Sequence, residues 1–176
     1  MTPTFACTTL LSVAIAATVL AEEPRKIVFV DTGNTGRSVS AEAIANVLIG
    51  QRGWKVAVIS RAVDMDPFDV RPEAHVITLL RDRGIDVSDH VATQMTANDA
   101  RHADLVLTMT ANHKAKVVEL YPEVKNKTRT IAEYATGVQA DVPDAWGKPL
   151  EVYIAMLKQL DAYLPRALEK AVAAPR

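Results

Sequence analysis

The sequence predicts an α/β protein in which a four-stranded parallel sheet is covered by helices on both faces, a three-layer sandwich. Apolar, β-branched runs alternate with helical patterns along the chain, and a tight glycine-containing loop joins the first run to a helix. The length of 176 residues suits one domain with a sizeable core. In such sheets ligands bind beyond the carboxyl ends of the strands.

Four short apolar runs are expected to form the strands, because continuous apolar runs are typical of strands buried on both faces. The runs cover residues 27–30, 55–59, 105–109 and 128–131, and the last is the weakest of the four. The alternation of strands and helices implies right-handed crossovers between parallel strands.

The helices are expected between and after these strands. The first follows the glycine-containing loop and stops at Gly50, and the second begins near Pro72 and ends at Gly84. Thr96 caps a short third helix, and residues 112–120 form a fourth.

A loop is expected over residues 134–149, before the final helix. That helix carries an apolar stripe that includes Tyr153, Leu157, Leu160 and Leu164. Pro165 is expected to kink or end it, because proline removes a helix hydrogen bond.

Residues 1–21 have the pattern of a secretory signal peptide. Positions 10–20 are almost entirely apolar, no charged side chain precedes Glu22, and residues 19–21 fit a cleavage site. No lysine or arginine precedes the apolar run, so an uncleaved membrane anchor and an error in the assigned start remain alternatives. The expected mature domain is 22–176, located in the periplasm or secreted. The membrane is a partner only if the leader is uncleaved.

The overall charge and the cysteine content narrow the possible functions. A formal net charge of −1 gives no reason to expect nucleic acid as a partner. The chain has one cysteine, Cys7, which cannot form an internal disulfide and would leave with the leader. No cofactor is predicted, and no spacing of ligand residues requires a metal.

The loop that follows the first strand predicts a phosphate-binding cradle. It can aim successive backbone N–H groups, a helix N-terminus and an arginine fork at one anion. It matches neither the Walker A pattern nor the dinucleotide-binding glycine pattern. The candidate phosphate-binding residues are Thr32, Gly33, Asn34, Thr35, Gly36, Arg37 and Ser38.

The loop resembles that of the low-molecular-weight protein-tyrosine phosphatases. Residues 31–42 read Asp-Thr-Gly-Asn-Thr-Gly-Arg-Ser-Val-Ser-Ala-Glu, where many bacterial members read Cys-Thr-Gly-Asn-Thr-Cys-Arg-Ser-Pro-Met-Ala-Glu. The likeness continues at Ser60 and over segments 83–90, 103–110 and 141–147. It covers about residues 26–164 and implies the fold of that family.

The resemblance also implies roles for individual residues. In that family a loop cysteine attacks phosphorus, the arginine and loop N–H groups hold the phosphoryl oxygens, and a distant aspartate protonates the leaving group. The matching catalytic positions are Asp31, Arg37 and Asp144. Ser38 matches the serine beside the nucleophile, and Asn34, Ser60 and His90 match the residues that brace the loop. Trp146 matches the side chain at the substrate slot, and Thr35 resembles the residue of the arginine-phosphatase branch. The remaining histidines, His75, His102 and His113, are expected to be solvated.

Four positions depart from the family pattern. Asp31 replaces the nucleophilic cysteine, Gly36 replaces the second loop cysteine, and Val39 replaces a proline. Ala145 replaces the proline of the acid loop, residues 141–147, which carries Asp144. A carboxylate is a poorer nucleophile than a thiolate and a stronger hydrogen-bond acceptor. We therefore expect Asp31 to bond the loop N–H groups and Arg37, so that phosphate meets a filled, like-charged site.

Three functions follow, in different classes. The first is a hydrolysis-impaired pseudophosphatase that binds a phosphorylated protein or a small phosphate or oxyanion. The second is an active phosphotyrosine or phosphoarginine phosphatase with Asp31 as nucleophile, helped by a divalent cation that Asp31, Asp141 and Asp144 could share. The third is an interaction protein that only reuses the fold. The sequence does not define the oligomeric state.

Simpler structural roles are also open for the same residues. Asp31 could be a turn residue with Arg37 as its partner, Asp144 a turn residue before Gly147, and Trp146 a rim or core side chain.

Overall fold

The computed structural model describes residues 23–175. The predicted leader, including Cys7, lies outside the described residues. The strands are β1 (Arg25–Asp31), β2 (Val56–Ala62), β3 (Leu105–Thr108) and β4 (Thr128–Thr130). The helices are α1 (Arg37–Arg52), α2 (Ala74–Arg81), α3 (Ala97–His102), α4 (Ala111–Leu120), α5 (Ile131–Thr136) and α6 (Leu150–Ala173), with a 3-10 helix over Pro122–Lys127.

The four strands form one parallel sheet in the order β2–β1–β3–β4. The central strand β1 sends alternate side chains to opposite faces, as the two-residue period of a strand requires. Ile27 and Phe29 enter a core shared with α1, α2, α5 and α6, while Val28 and Val30 enter a second core with α3, α4 and the 3-10 helix. Helices therefore cover both faces, which confirms the predicted three-layer fold.

The helix boundaries differ from the predictions at two glycines. The first helix continues past Gly50 to Arg52 and ends at Gly53. Gly53 has φ +63°, the left-handed conformation that glycine adopts without the steric cost of a Cβ, and its N–H bonds Ile49 O. The helix predicted to begin near Pro72 and end at Gly84 is shorter at both ends and covers Ala74–Arg81.

The predicted loop over 134–149 was wrong at its beginning, where α5 runs to Thr136. Thr130 and Glu133 form a capping box at the start of this helix. The Thr-x-x-Glu spacing is the sequence signal for such a box. The helix places Ile131 in the core shared with α6.

Pro165 does not end α6, so the expectation that the helix stops there was wrong. The helix continues to Ala173 because Leu164, Ala167, Leu168 and Ala171 remain on one fully buried stripe across the proline. Burial of such a stripe exceeds the cost of about 3 kcal/mol for proline in a helix interior. No helix within residues 23–175 combines the length and apolar character needed to span a bilayer.

Candidate active site

The cradle loop joins two central elements of the fold. It leaves β1 after Asp31 and enters α1 at Arg37, at the carboxyl edge of the sheet. Neighbouring segments hold its backbone in place: Asp64 N–H donates to Thr32 O at 3.0 Å, and Glu73 N–H donates to Thr35 O at 3.1 Å. The loop is thus a rigid bend at the position where this class of sheet binds ligands.

The Asp31 carboxylate accepts hydrogen bonds from the loop at both oxygens. Asn34 N–H donates to Oδ1 at 2.6 Å, and Ser38 N–H donates to Oδ2 at 2.8 Å. The residue is 2% exposed. Charge-assisted bonds from backbone N–H groups stabilise an ionised carboxylate in a buried position. The loop therefore holds the anion of its own first residue, as predicted.

Arg37 does not hold Asp31, which corrects the sequence-based expectation. Within residues 23–175 the polar partners of the guanidinium are Val142 O, 3.4 Å from Nη1, and Asp144 Oδ1, 3.3 Å from Nη2. The reason is geometric: the loop N–H groups already bond both Asp31 oxygens, and the acid loop brings a second carboxylate over the guanidinium. Arg37 is 7% exposed, so its charge is fixed between the cradle and the acid loop.

Asn34 stabilises the bend of the loop. It adopts φ +60°, a left-handed conformation that asparagine tolerates better than most residues. Its Nδ2 donates to Ser38 Oγ at 2.9 Å, and its Oδ1 accepts from Thr93 N–H at 3.0 Å. His90 Nε2 lies 3.1 Å from Asn34 O and 3.2 Å from Asn34 Oδ1. Asn34 and His90 thus have the bracing contacts that the family resemblance implies.

Ser60 does not brace the loop. Its hydroxyl donates instead to the Glu42 carboxylate on α1. Ser60 lies on β2, where its side chain faces the helix rather than the bend. The prediction for Ser60 was therefore wrong in its partner, although the bond does tie the first helix to the sheet.

Five further N–H groups of the loop are available to an anion. Those of Thr32, Gly33, Thr35, Gly36 and Arg37 donate to no acceptor in the described part of the chain. Successive free N–H groups at a helix N-terminus create a positive concavity. Asp31 thus fills only part of the donor array, contrary to the expectation of a fully occupied cradle.

A cavity of about 280 Å³ opens in front of the loop. Among the described residues that line it, Arg37 is the one cation, and six residues carry carboxyl groups: Asp31, Asp64, Asp66, Asp69, Glu73 and Asp144. Trp146, 63% exposed, forms one wall and donates from Nε1 to Asp69 Oδ2 at 3.3 Å. The tryptophan is therefore a rim side chain. The acid loop and the cradle meet at this cavity, as predicted.

Glu73 belongs to this site and was not predicted. It precedes α2, and its carboxyl accepts a hydrogen bond from the Tyr153 hydroxyl. Burial raises the pKa of Glu73, the bond from Tyr153 opposes this, and the charges of Asp144, Asp31 and Asp69 raise it further. The pKa of Tyr153 rises to about 12, chiefly through burial and then through the bond to Glu73. No motif marks Glu73, because its role depends on how α2 packs against α6.

His113 was predicted to be solvated, but it is 7% exposed. Its Nε2 lies 2.9 Å from Thr32 Oγ1, next to the nucleophile position. Burial lowers the pKa of His113, and the charge of Arg37 lowers it further, which favours the neutral imidazole. The strand order could have indicated this contact, since α4 follows β3 and β3 pairs with β1.

The structure describes no group of three or more His, Cys, Asp or Glu side chains within residues 23–175 that could hold a metal ion. Asp141, one of the residues considered for a shared cation, accepts from Ala111 N–H at 2.8 Å at the start of α4.

Comparison with known proteins identifies the family. The family model described as low molecular weight phosphotyrosine protein phosphatase matches residues 26–174. The chain belongs to this family. The match spans the cradle, the acid loop and every described element but the start of β1, and it confirms the resemblance inferred from the loop.

Individual phosphatases of this family resemble the chain over most of its length. A protein-arginine-phosphatase of Geobacillus stearothermophilus is 33% identical over 147 residues, 84% of this chain and 96% of that protein. One of Bacillus subtilis is 33% identical over 138 residues, 78% of this chain and 91% of that protein. A low molecular weight protein tyrosine phosphatase structure from T. tengcongensis superposes with a TM-score of 0.78 at 37% identity, covering 83% of this chain and 99% of that one.

Proposed function

We propose that this phosphatase-family protein is hydrolysis-impaired and works as a module that binds a phosphorylated protein or a small oxyanion. One observation carries the proposal: both oxygens of Asp31, the residue at the nucleophile position, bond loop N–H groups, and the side chain is 2% exposed. A carboxylate that accepts a hydrogen bond at each oxygen and is almost fully buried is a weak nucleophile toward phosphorus. Binding is still supported, by the five free loop N–H groups and by the Arg37 guanidinium.

The cavity lining supports a particular ligand class. The six carboxyl groups repel a free dianion, whereas a phosphate attached to a cationic group would have its charge partly offset. A phosphorylated guanidinium is such a group, and the relatives from Geobacillus and Bacillus are protein-arginine phosphatases. Thr35, buried in the loop, resembles that branch. We therefore propose phosphoarginine in proteins ahead of phosphotyrosine as the recognised group.

The proposed location is the periplasm or the exterior, with residues 1–21 as a signal peptide. Its support is the apolar leader and the absence of thiols from the sequence after Cys7. Two neighbouring loop cysteines would be prone to oxidation in such a compartment, and positions 31 and 36 carry none.

A second candidate function is slow hydrolysis through Asp31, because this residue lines the cavity beside free N–H groups. An Asp31 oxygen would bond to phosphorus while the bond to the leaving group breaks. Asp144 would give that group its proton, and water would then cleave the acyl phosphate. This function requires Asp31 to leave its two N–H donors.

Titration calorimetry with inorganic phosphate tests the binding proposal. In Asp31→Gly, removal of the like charge frees the N–H groups of Asn34 and Ser38 for the ligand. We expect phosphate affinity to rise about tenfold or more over wild type, the scale of one charge-assisted hydrogen bond. Asp82→Gly, an exposed aspartate at the end of α2, is the matched control and is expected to bind like wild type. Absence of binding in Asp31→Gly would mean that the cradle is vestigial.

A further inference from the structure

Gly36 has no space for a side chain while Glu73 holds its observed position. Its φ is −127°, outside the positive range that favours glycine. A Cβ built at this position would lie 2.5 Å from Glu73 Oε1 and 3.6 Å from Glu73 Cδ. The four described glycines with positive φ have nothing within 4 Å of such a Cβ. A side chain at position 36 and the observed position of Glu73 are therefore mutually exclusive.

Glu73 is fixed at both its backbone and its side chain. Its N–H donates to Thr35 O in the cradle loop at 3.1 Å, and Oε2 accepts from the Tyr153 hydroxyl. Tyr153, on α6, is 3% exposed and packs in the hydrophobic core. The His75 ring lies edge-on to the Tyr153 ring, with 4.9 Å between the ring centroids. Because Oε2 is occupied by this donor, the carboxyl proton of neutral Glu73 belongs on Oε1, the oxygen that lies over Gly36.

The surroundings of Glu73 shift its carboxyl group toward the neutral form. It lines the same cavity as Asp31, Asp69 and Asp144. Burial raises its pKa, the hydrogen bond from Tyr153 opposes this, and these three carboxylates raise it further. The ionisable groups that face Glu73 come from several elements: Asp31 on β1, Arg37 on α1, Asp69, Asp144 on the acid loop and Tyr153 on α6. His75 on α2 lies just behind Tyr153. A neutral carboxyl is an O–H donor, whereas the ionised form only accepts.

We propose that Glu73, admitted by the missing side chain at Gly36, is a ligand-binding residue of the cradle that donates its Oε1–H to an oxygen of the bound oxyanion. On ionisation the same group repels the anion, so the site binds in acid and releases as the pH rises. This inference rests on the proposed oxyanion binding and adds a donor from outside the loop. The proposal also gives Gly36 a role, because any side chain at position 36 would displace Glu73. Loss of the cysteine alone would not explain why the replacement is glycine.

Sulfate is the probe of choice because, unlike phosphate, it stays a dianion over the pH range in which a carboxyl group with a raised pKa titrates. Titration calorimetry on wild type between about pH 5 and pH 8 is expected to show affinity falling about tenfold, the scale of a hydrogen bond to a charged group. Glu73→Gln keeps a donor but cannot ionise, so its affinity is expected to change much less over this range. Every other ionisable group is the same in both proteins, so the difference isolates Glu73.

Two further variants separate the donor role from a structural one. Gly36→Ala should displace Glu73 although it keeps the carboxyl group. The variant is therefore expected to bind sulfate at every pH as weakly as wild type does at high pH. Glu123→Gln, on the exposed 3-10 helix before β4, is the matched control and is expected to keep the wild-type pH profile. Thermal unfolding midpoints of all variants show whether each is folded.

The failures of the two proposals are distinguishable. If sulfate binds and Glu73→Gln retains the full wild-type pH dependence, Glu73 is not the donor and the oxyanion site stands without it. If sulfate binds neither wild type nor Asp31→Gly at any pH, the oxyanion site itself is wrong and Glu73 has no ligand to bind.

Discussion

Asp31→Cys is expected to hydrolyse an aryl phosphate at least about a hundredfold faster than wild type, because it restores the nucleophile to an otherwise assembled site. The N–H groups of Asn34 and Ser38 that bond the Asp31 carboxylate would stabilise a thiolate in the same place. Asp144 is already within 3.3 Å of the Arg37 guanidinium. Initial rates with a chromogenic aryl phosphate under reducing conditions measure the gain.

Asp31→Ser is the matched control, because a hydroxyl has nearly the size of the thiol but lacks its acidity. We expect it to stay at the wild-type rate. If Asp31→Cys is folded and binds phosphate yet remains inactive, then Asp31 is not what limits hydrolysis. The limitation would then lie at Val39, Gly36 or Ala145, the other departures from the family pattern.

Arg37→Gln is expected to weaken phosphate binding by about tenfold to a hundredfold, measured by calorimetry in the Asp31→Gly background, where affinity is highest. Arg37 is the one cation among the described residues lining the cavity, so no neighbour there replaces its charge. Arg37→Lys should bind phosphate with an affinity between that of Arg37→Gln and that of the Asp31→Gly parent, since an ammonium keeps the charge but loses the planar fork.

Arg166→Gln provides the same substitution on the exposed side of α6 and should leave phosphate affinity unchanged. Phosphate binding in Arg37→Gln at the affinity of its Asp31→Gly parent would show that the anion does not contact the guanidinium. In that case the ion pair with Asp144 would be the whole function of Arg37.

Local patterns predicted the elements of the fold well, because a buried strand and an amphipathic helix are written in consecutive residues. The strand before the loop and the order of elements followed from apolar runs alone. Predictions failed where the outcome depended on distant packing. Pro165 stays helical because leucines and alanines on both sides of it are buried by other elements. Gly50 looked like a helix end, but it lies within α1, and Gly53 ends the helix.

The candidate site shows the same division. The Asp31 carboxylate bonds loop N–H groups three and seven residues along the chain, and the loop sequence was sufficient to predict these bonds. Arg37 bonds Val142, 105 residues along the chain, and Glu73 meets Tyr153 from a separation of 80. Such partners are set by how the acid loop, α2 and α6 fold over the cradle, and no local spacing encodes them.

The central claim is that this phosphatase-family protein does not turn over its ligand through Asp31. The most direct measurement compares wild type with Asp31→Asn in the hydrolysis of an aryl phosphate and of phosphoarginine, with and without Mg²⁺. Because Asp31→Asn removes the carboxylate and changes little else, we expect both proteins to remain at the same background rate. Wild-type turnover that Asp31→Asn abolishes would contradict the claim and establish Asp31 as a nucleophile.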